Sequence, residues 1–137
     1  MRLALCLWML LSVPCLAQEQ QKDLDQLFQD LVVHLNAAEN IQVIAVFEQS
    51  LRVQLSYFAD GDRIDAQLDF HTVLPPAWAE RQDHYEVNVP FVGMEPNRAR
   101  LQFKDRTQSV MCYRTIRDLA ASFGSVDPNA LEPNIKQ

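Results

Sequence analysis

Three histidines, His34, His71 and His84, are the residues of the chain best suited to bind a metal or to move a proton near neutral pH. A metal site needs two or three such residues to converge with aspartate or glutamate. The spacings H-x-H, H-x-x-x-H and H-E-x-x-H do not occur. His71 with Asp69 and His84 is the least unfavourable set. We expect surface or packing roles for all three histidines, and we predict no metal site and no cofactor.

Other reactive residue types also lack the neighbours that chemistry would require. An acidic series occupies the middle of the chain: Asp60, Asp62, Asp65 and Asp69. The segment DGDRIDAQLDFH has neither the sixth-position glycine nor the closing glutamate of a calcium loop. No serine lies in a G-x-S-x-G motif, and no histidine flanks Cys112. We therefore predict no catalytic residue and interpret Cys112 as a small buried apolar residue.

One short segment supports a ligand-binding or enzymatic alternative. It combines aromatic rings with ionisable groups: Trp78, His84, Tyr85 and Glu86. Carboxylates beside an aromatic platform are typical of carbohydrate sites, so this set is a candidate pocket for a small ligand or a weak hydrolase. The other interpretation is that Trp78 is a hydrophobic plug beside the Pro75-Pro76 corner.

A basic row favours protein binding instead. In RARLQFKDR, Arg98, Arg100 and Lys104 fall on the outward face of one predicted strand, in a chain whose net charge is −6. Such a row either protects the edge of a sheet or docks against an acidic partner surface. Both interpretations place the three cations in solvent.

An apolar pair gives the second candidate surface. IQVIAVFE is apolar on both faces, and a turn at residues 48–50 directs Ile44 and Val46 toward the polar side of the neighbouring strand. The same turn directs Val43, Ala45 and Phe47 toward the buried side, and a different turn length exchanges the two sets. The exposed pair either lies under a covering segment or forms a contact surface for a second copy or another protein.

A β-hairpin positions most of these residues. LRVQLSYF and RIDAQLDFH alternate between apolar and polar residues, and the Asp-Gly dipeptide between them is a strong signal for a two-residue turn. With that dipeptide at the tip, Tyr57 lies opposite Ile64, and Arg52 lies opposite Asp69. A shift of one residue would exchange the two faces of the hairpin, so we expect this register.

The flanking segments complete an α+β domain. Apolar residues spaced three and four apart predict a helix over QKDLDQLFQDLVVHLNAAEN, with Asn40 as its left-handed stop. PAWAERQ is predicted to form one helical turn, YEVNV and residues 98–104 are predicted strands, and residues 109–114 are either a last strand or part of a closing helix. The predicted fold is a mostly antiparallel sheet of five or six strands, with an N-terminal and a C-terminal helix packed on one face. This order of elements is similar to that of type III secretion chaperones.

The N-terminus determines the expected compartment. Arg2, an apolar run through Val13, Pro14 and a small residue at Ala17 match the regions of a secretory signal peptide. The run is shorter than the roughly 20 residues of a transmembrane helix. Ser12 and Pro14 fit a lipoprotein leader poorly. We therefore predict a signal peptide over residues 1–17, cleaved after Ala17.

The expected domain organisation follows from this cleavage. Residues 18–124 are predicted to form a single domain and residues 125–137 an extended tail. Cys6 and Cys15 leave with the leader, so Cys112 has no partner for a disulfide. The missing disulfide and the absence of any N-x-S/T sequon favour a bacterial periplasm.

Composition excludes several classes of function. An acidic chain is not expected to bind nucleic acid or an anionic membrane, and its three glycines leave no glycine-rich phosphate loop. We expect a small exported, non-enzymatic protein that binds another macromolecule, with no transmembrane segment in the mature chain. It would be an accessory or chaperone-like subunit of an envelope or secretion system, or an inhibitor or immunity protein; a homodimer is the alternative. The expected contact residues are Ile44, Val46, Arg52, Asp69, Arg98, Arg100 and Lys104.

Overall fold

The fold is given by a computed structural model that describes residues 23–93 and 98–124. The predicted leader and the predicted C-terminal tail lie outside these residues. Residues 23–37 are helical, and we call this helix α1. The later elements are β1 (Ile41–Phe47), β2 (Arg52–Ala59), β3 (Asp62–Asp69), a 3₁₀ turn (Phe70–Thr72), β4 (Ala77–Glu80), β5 (Tyr85–Pro90), β6 (Arg98–Phe103) and α2 (Arg106–Ser122). The α+β class is confirmed.

The six described strands form two antiparallel sheets rather than one. Sheet 1 has the order β1-β2-β3, and sheet 2 has the order β4-β5-β6. The predicted single sheet of five or six strands is therefore corrected, and the packing of both helices on one face of it is not confirmed. The division follows the 3₁₀ turn and the Pro75-Pro76 pair, because a proline has no N–H to continue a ladder. Only an isolated bridge between Val73 and Phe91 follows the turn before β4 begins.

The β2–β3 hairpin has the predicted register. Tyr57 lies opposite Ile64 and Arg52 opposite Asp69. At the tip, Asp60 and Gly61 have φ angles of 53° and 84°. A two-residue turn of type I′ requires positive φ at both central positions, which explains why this dipeptide terminates the two strands here.

A β-bulge at Ile44 changes the predicted alternation of β1. Val43 lies opposite Leu55, whereas Ala45 lies opposite Gln54, the next residue of β2. Ile44 is therefore the extra residue of the bulge, and the two faces of β1 are exchanged after it.

The exchange corrects the expected placement of three side chains. Ala45 lies opposite Gln54, on the polar side, although it was predicted on the buried side. Val46 lies opposite Val53, on the apolar side, although it was predicted on the polar side. Phe47 lies opposite Arg52, on the polar side, although it was predicted on the buried side. Val46 and Phe47 remain exposed because β1 is an edge strand.

Two further segments differ from their sequence patterns or resolve an alternative. Ala77–Glu80 is strand β4 instead of a helical turn, because Trp78 pairs with Val87 of β5 and its indole N–H donates to Ser109 of α2 at 2.9 Å. These long-range contacts override the helix propensity of alanine and glutamate. Residues 109–114 belong to α2, which resolves the strand-or-helix alternative in favour of the helix.

One hydrophobic core joins the helices and both sheets. Phe70 of the 3₁₀ turn makes edge-on ring contacts with Phe28 of α1 and Phe91 after β5, with centroids 6.3 and 5.4 Å apart. Helix α2 packs against the 3₁₀ turn and all three strands of sheet 2. Other fully buried members are Leu31, Leu35, Val53, Leu55, Leu68, Val87, Leu101, Phe103, Ile116 and Leu119. Within the described residues, neither helix combines the length and apolarity needed to cross a membrane.

Candidate binding surfaces

The face of sheet 2 that points away from the core is polar, and we call it the outer face of sheet 2. The alternate residues of its strands, such as Val87 and Leu101, are buried in the core. Strand pairing arranges the outer face in three rows, which are Ala79–Glu86–Gln102, Ala77–Asn88–Arg100 and Pro90–Arg98.

A buried carboxylate lies within this face. Glu86 is only 5% exposed, and its Oε2 atom pairs with Nε of Arg81 at 2.9 Å. Its Oε1 atom lies 3.8 Å from Nε of Arg100. A buried carboxylate is costly unless it is paired, so the two guanidinium groups account for its burial. Both arginines are more than half exposed, and with Arg98 they leave this face more cationic than anionic.

A small cavity adjoins this cationic region. It has a volume of about 160 Å³ and is lined by Pro75, Ala77, Asn88, Pro90 and Arg98. The Oδ1 atom of Asn88 is buried and has no hydrogen-bond partner among the described residues. A buried acceptor without a donor is uncommon in proteins, which makes this amide the most distinctive polar group of the face.

The predicted basic row is divided by the end of β6. Arg98 and Arg100 lie on the outer face of sheet 2, as their alternation predicts. Lys104 follows the last residue of the strand and pairs with Glu39 at 3.3 Å. The structure therefore brings two of the three cations together on the sheet and directs the third toward the segment that precedes β1.

The four residues of the predicted ligand pocket do not share one site. Trp78 stacks on Tyr85 at 6.0 Å and hydrogen-bonds to Ser109, so both rings lie on the side of sheet 2 that packs against α2. Glu86 lies on the opposite side of that sheet. His84, in the β4–β5 loop, contacts Asp83 at 2.7 Å, and this hydrogen bond lowers the pKa of the Asp83 carboxyl.

The polar face of the β2–β3 hairpin carries a network of paired side chains. Ser56 is fully buried and donates to Asp65, and this hydrogen bond lowers the pKa of that carboxyl. Arg63 donates to the same serine oxygen at 3.1–3.2 Å. Because these groups satisfy one another, the network stabilises the hairpin and does not resemble a ligand site.

The Arg52–Asp69 pair lies at the other end of this face. Nε of Arg52 is 3.7 Å from Asp69, and that carboxylate also accepts the backbone N–H of His71 at 3.1 Å. The pair was predicted from register and is confirmed as a cross-strand contact. Among the described residues, no group of three or more histidine, cysteine, aspartate or glutamate side chains is arranged to hold a metal.

Strand β1 carries a second exposed surface. Ile44 is 49% exposed, Val46 is 37% exposed and Phe47 is 45% exposed. The three residues occupy the C-terminal half of one edge strand, which has no charged residue. We call this set the β1 edge.

A groove between the two helices is the third surface feature. It is lined by Asp30, Val33 and His34 of α1 and by Met111, Arg114 and Thr115 of α2. Burial lowers the pKa of His34, while Asp30 opposes this effect by raising it. Cys112 is fully buried, as its interpretation as a buried apolar residue predicted, and burial raises the pKa of its thiol.

Asn40 has a different structural role from the predicted one. It was expected to end α1 in a left-handed conformation, but its φ is not positive. Its side-chain amide instead donates to the carbonyl of Arg100 at 2.8 Å and accepts the N–H of Gln102 at 2.9 Å. The only sequence signal for this role is a polar residue between two apolar segments.

Comparisons of the chain with protein-family models, with curated proteins and with solved structures found no match. Its surfaces are therefore the basis for a functional proposal.

Proposed function

We propose that this chain is a small exported, non-enzymatic protein that binds another protein, and that the β1 edge is where the partner docks. The observation that supports it most strongly is an exposed edge strand without any charge. Natural sheets usually protect their edges with charged residues, prolines or bulges, because an open edge pairs readily with another strand. An edge with little protection is typical of a strand that another chain completes.

The other sheet edges are better protected than β1. β3 carries four charged residues among eight, and β4 is only four residues long and follows two prolines. The edge of β6 is partly occupied at Gln102. The N–H of Glu39 donates to the carbonyl of Gln102, and the N–H of Gln102 donates to the side chain of Asn40. Within the part of the chain that the structure describes, β1 has only its bulge as protection.

Strand addition is the binding mode that this geometry favours. The partner would contribute an extended segment that hydrogen-bonds to the free side of β1, while Val46 and Phe47 would give its side chains apolar contacts on either face. The bulge at Ile44 would fix the register, because a bulge interrupts regular pairing at one position. Arg52 and Asp69, beside Phe47 on the polar face, would form part of the charged rim.

The test compares lysine substitutions on the β1 edge with a lysine substitution at an exposed position away from it. Val46→Lys and Phe47→Lys introduce charge on the edge, whereas Phe58→Lys introduces it at a 51% exposed position of the central strand β2. Each tagged protein is used for affinity capture from a native envelope extract, followed by mass spectrometry, and circular dichroism checks its fold.

We expect the wild type and Phe58→Lys to retain the same partner and both edge variants to lose it. A second copy of the chain would appear as a dimer that dissociates in the edge variants, measured by light scattering. Equal capture by all four proteins, with no change in oligomeric state, would overturn the proposal.

Export to a bacterial periplasm belongs to the same proposal and is supported by the leader pattern of residues 1–17. Within the envelope, an accessory or chaperone-like subunit, or an inhibitor or immunity protein, fits an acidic chain with a docking edge. Intact mass of the protein purified from the periplasmic fraction tests the export step, because cleavage after Ala17 leaves Gln18 as the first residue.

A further inference from the structure

We propose that the outer face of sheet 2 is a separate docking site for an acidic peptide segment of a partner protein. The proposal does not depend on the β1 edge, since the two surfaces belong to different sheets. It is based on the charge of the face, on an unsatisfied amide and on the size of the adjoining cavity.

Charge selects an anionic partner. Among the described residues, Arg81, Arg98 and Arg100 share this region with one carboxylate, Glu86, in a chain whose net charge is −6. Arg81 makes the close contact with that carboxylate, and Arg100 lies farther from it, at 3.8 Å. A guanidinium group has five N–H donors in a fork that matches a carboxylate, so Arg100 keeps capacity for a second anion.

The amide of Asn88 selects a ligand that also carries a donor. Its Oδ1 atom is buried and unpaired among the described residues, and it lies in the row between Ala77 and Arg100. A buried acceptor without a donor costs free energy, which a ligand N–H would recover once the Asn88 side chain rotates to expose this atom. A peptide backbone supplies this N–H, whereas an acetate ion carries no donor at neutral pH.

The cavity limits the size of the inserted group. At about 160 Å³ it is smaller than the roughly 300 Å³ at which small-molecule pockets begin, and it is closer in size to one side chain. Pro75 and Pro90 provide apolar walls for the methylene groups of a glutamate, with Arg98 among the lining residues. Ala77 and Ala79 have small side chains, so a peptide main chain can approach β4 closely.

Direct binding of short acetylated peptides tests the proposal. Glutamate-containing peptides are compared with peptides of the same sequence in which glutamine replaces each glutamate, by fluorescence anisotropy in low salt. The variants are Arg98→Gln, Arg98→Glu and Asn88→Leu, which removes the acceptor and keeps a side chain branched at Cγ. Lys104→Gln is the matched control, because it removes one cation from the chain outside this face.

We expect the glutamate peptides to bind the wild type at least about tenfold more tightly than the glutamine peptides, and Arg98→Glu and Asn88→Leu to lose about tenfold in affinity. Arg98→Gln should show a smaller loss in the same direction. Lys104→Gln and Val46→Lys should bind within about twofold of the wild type, so this proposal and the β1 proposal can fail independently.

Four results would overturn the proposal. They are no binding of glutamate peptides by the wild type at millimolar concentration, equal binding of the glutamine peptides, an unchanged affinity in Asn88→Leu, and tighter binding of a single-stranded oligonucleotide than of any peptide. Amide NMR spectra give a further readout, since the side-chain NH₂ signal of Asn88 should shift when the glutamate peptide is added and not when sodium acetate is added.

Discussion

The side-chain Oδ1 atom of Asn40 accepts the backbone N–H of Gln102, 62 residues further along the chain, at 2.9 Å. The Nδ2 atom of the same amide donates to the carbonyl of Arg100 at 2.8 Å. One side chain therefore supplies to β6 the donor and the acceptor that a neighbouring strand would supply. No ladder joins the two described sheets, and this amide, together with the N–H of Glu39 that donates to the carbonyl of Gln102, links the segment before β1 to β6.

Replacing Asn40 by alanine should destabilise the fold strongly. Asn40 is only 8% exposed, so the carbonyl of Arg100 and the N–H of Gln102 would both lose a partner in a buried setting. At about 1–3 kcal/mol for each unsatisfied group, we expect a loss of about 2–6 kcal/mol in the free energy of unfolding. Urea denaturation measures this loss. Asn36→Ala is the control, because that amide contacts only an exposed carbonyl of its own helix.

Asn40→Asp tests the same role of Asn40, because the stability of this variant should depend on pH. The carboxylate can accept from Gln102 but would face the carbonyl of Arg100, so burial and repulsion should raise its folded-state pKa. A raised pKa means that the variant is most stable below the ordinary aspartate value of about 4 and loses stability as the pH rises through the folded value. A deficit relative to the wild type that does not grow between about pH 3 and 7 would contradict this account.

Trp78→Phe should weaken the contact between sheet 2 and α2 without affecting partner binding. The substitution removes the indole N–H that donates to Ser109 and reduces the surface that faces Arg106 and Tyr85. We expect a loss of about 1–3 kcal/mol from one hydrogen bond and reduced packing. Thermal unfolding measures the loss. If the folded variant lost its captured partner while the Phe58→Lys control kept it, the packing role assigned to Trp78 would be wrong.

The local part of the fold could be predicted from the sequence because its evidence is local. Asp60 and Gly61 define a turn, and alternation on both sides of it then fixes every pair of the β2–β3 hairpin. The same alternation predicted that Arg98 and Arg100 share an exposed face. When charged and apolar residues alternate along a strand, the face that each side chain occupies can be predicted without information on distant elements.

The remaining features depend on contacts between distant residues. Ala77–Glu80 has the composition of a helical turn, and it is a strand because Trp78 reaches Ser109, 31 residues away. The bulge at Ile44 moves Val46 to the other face without any glycine or proline to signal it. The Oδ1 atom of Asn88 has no donor among the described residues although Arg100 lies opposite it, an arrangement that no single segment encodes.

Removing Arg81 should destabilise the protein more than removing the charge of Glu86. Arg81→Ala would leave a buried carboxylate with only the 3.8 Å contact to Arg100, so we expect a loss of about 1–3 kcal/mol at neutral pH. Glu86→Gln removes the buried charge itself and leaves two exposed arginines, so its loss should be below about 1 kcal/mol. Urea denaturation at neutral pH compares the two variants. If Glu86→Gln lost more free energy of unfolding than Arg81→Ala, the attraction between the ion pairs would outweigh the cost of burying the carboxylate.

His34 should make the stability of the protein depend on pH in the weakly acidic range. Burial between α1 and α2 lowers its pKa below the ordinary value of about 6.5, although Asp30 opposes the shift. The unfolded chain therefore takes up a proton at a higher pH than the folded protein does. Stability should be highest above about pH 6.5 and fall as the pH drops through the unfolded value toward the lower folded value.

His34→Gln separates this effect from the titration of other groups, because glutamine stays neutral across the range. Asp30, on the same helix, and Arg114, across the groove, are retained in the variant. Unfolding free energies of both proteins are measured from about pH 8 to 5, and the difference between them should change in favour of the variant as the pH falls. A difference that stays constant, or that changes in favour of the wild type, would show that burial does not control the protonation of His34 in the folded protein.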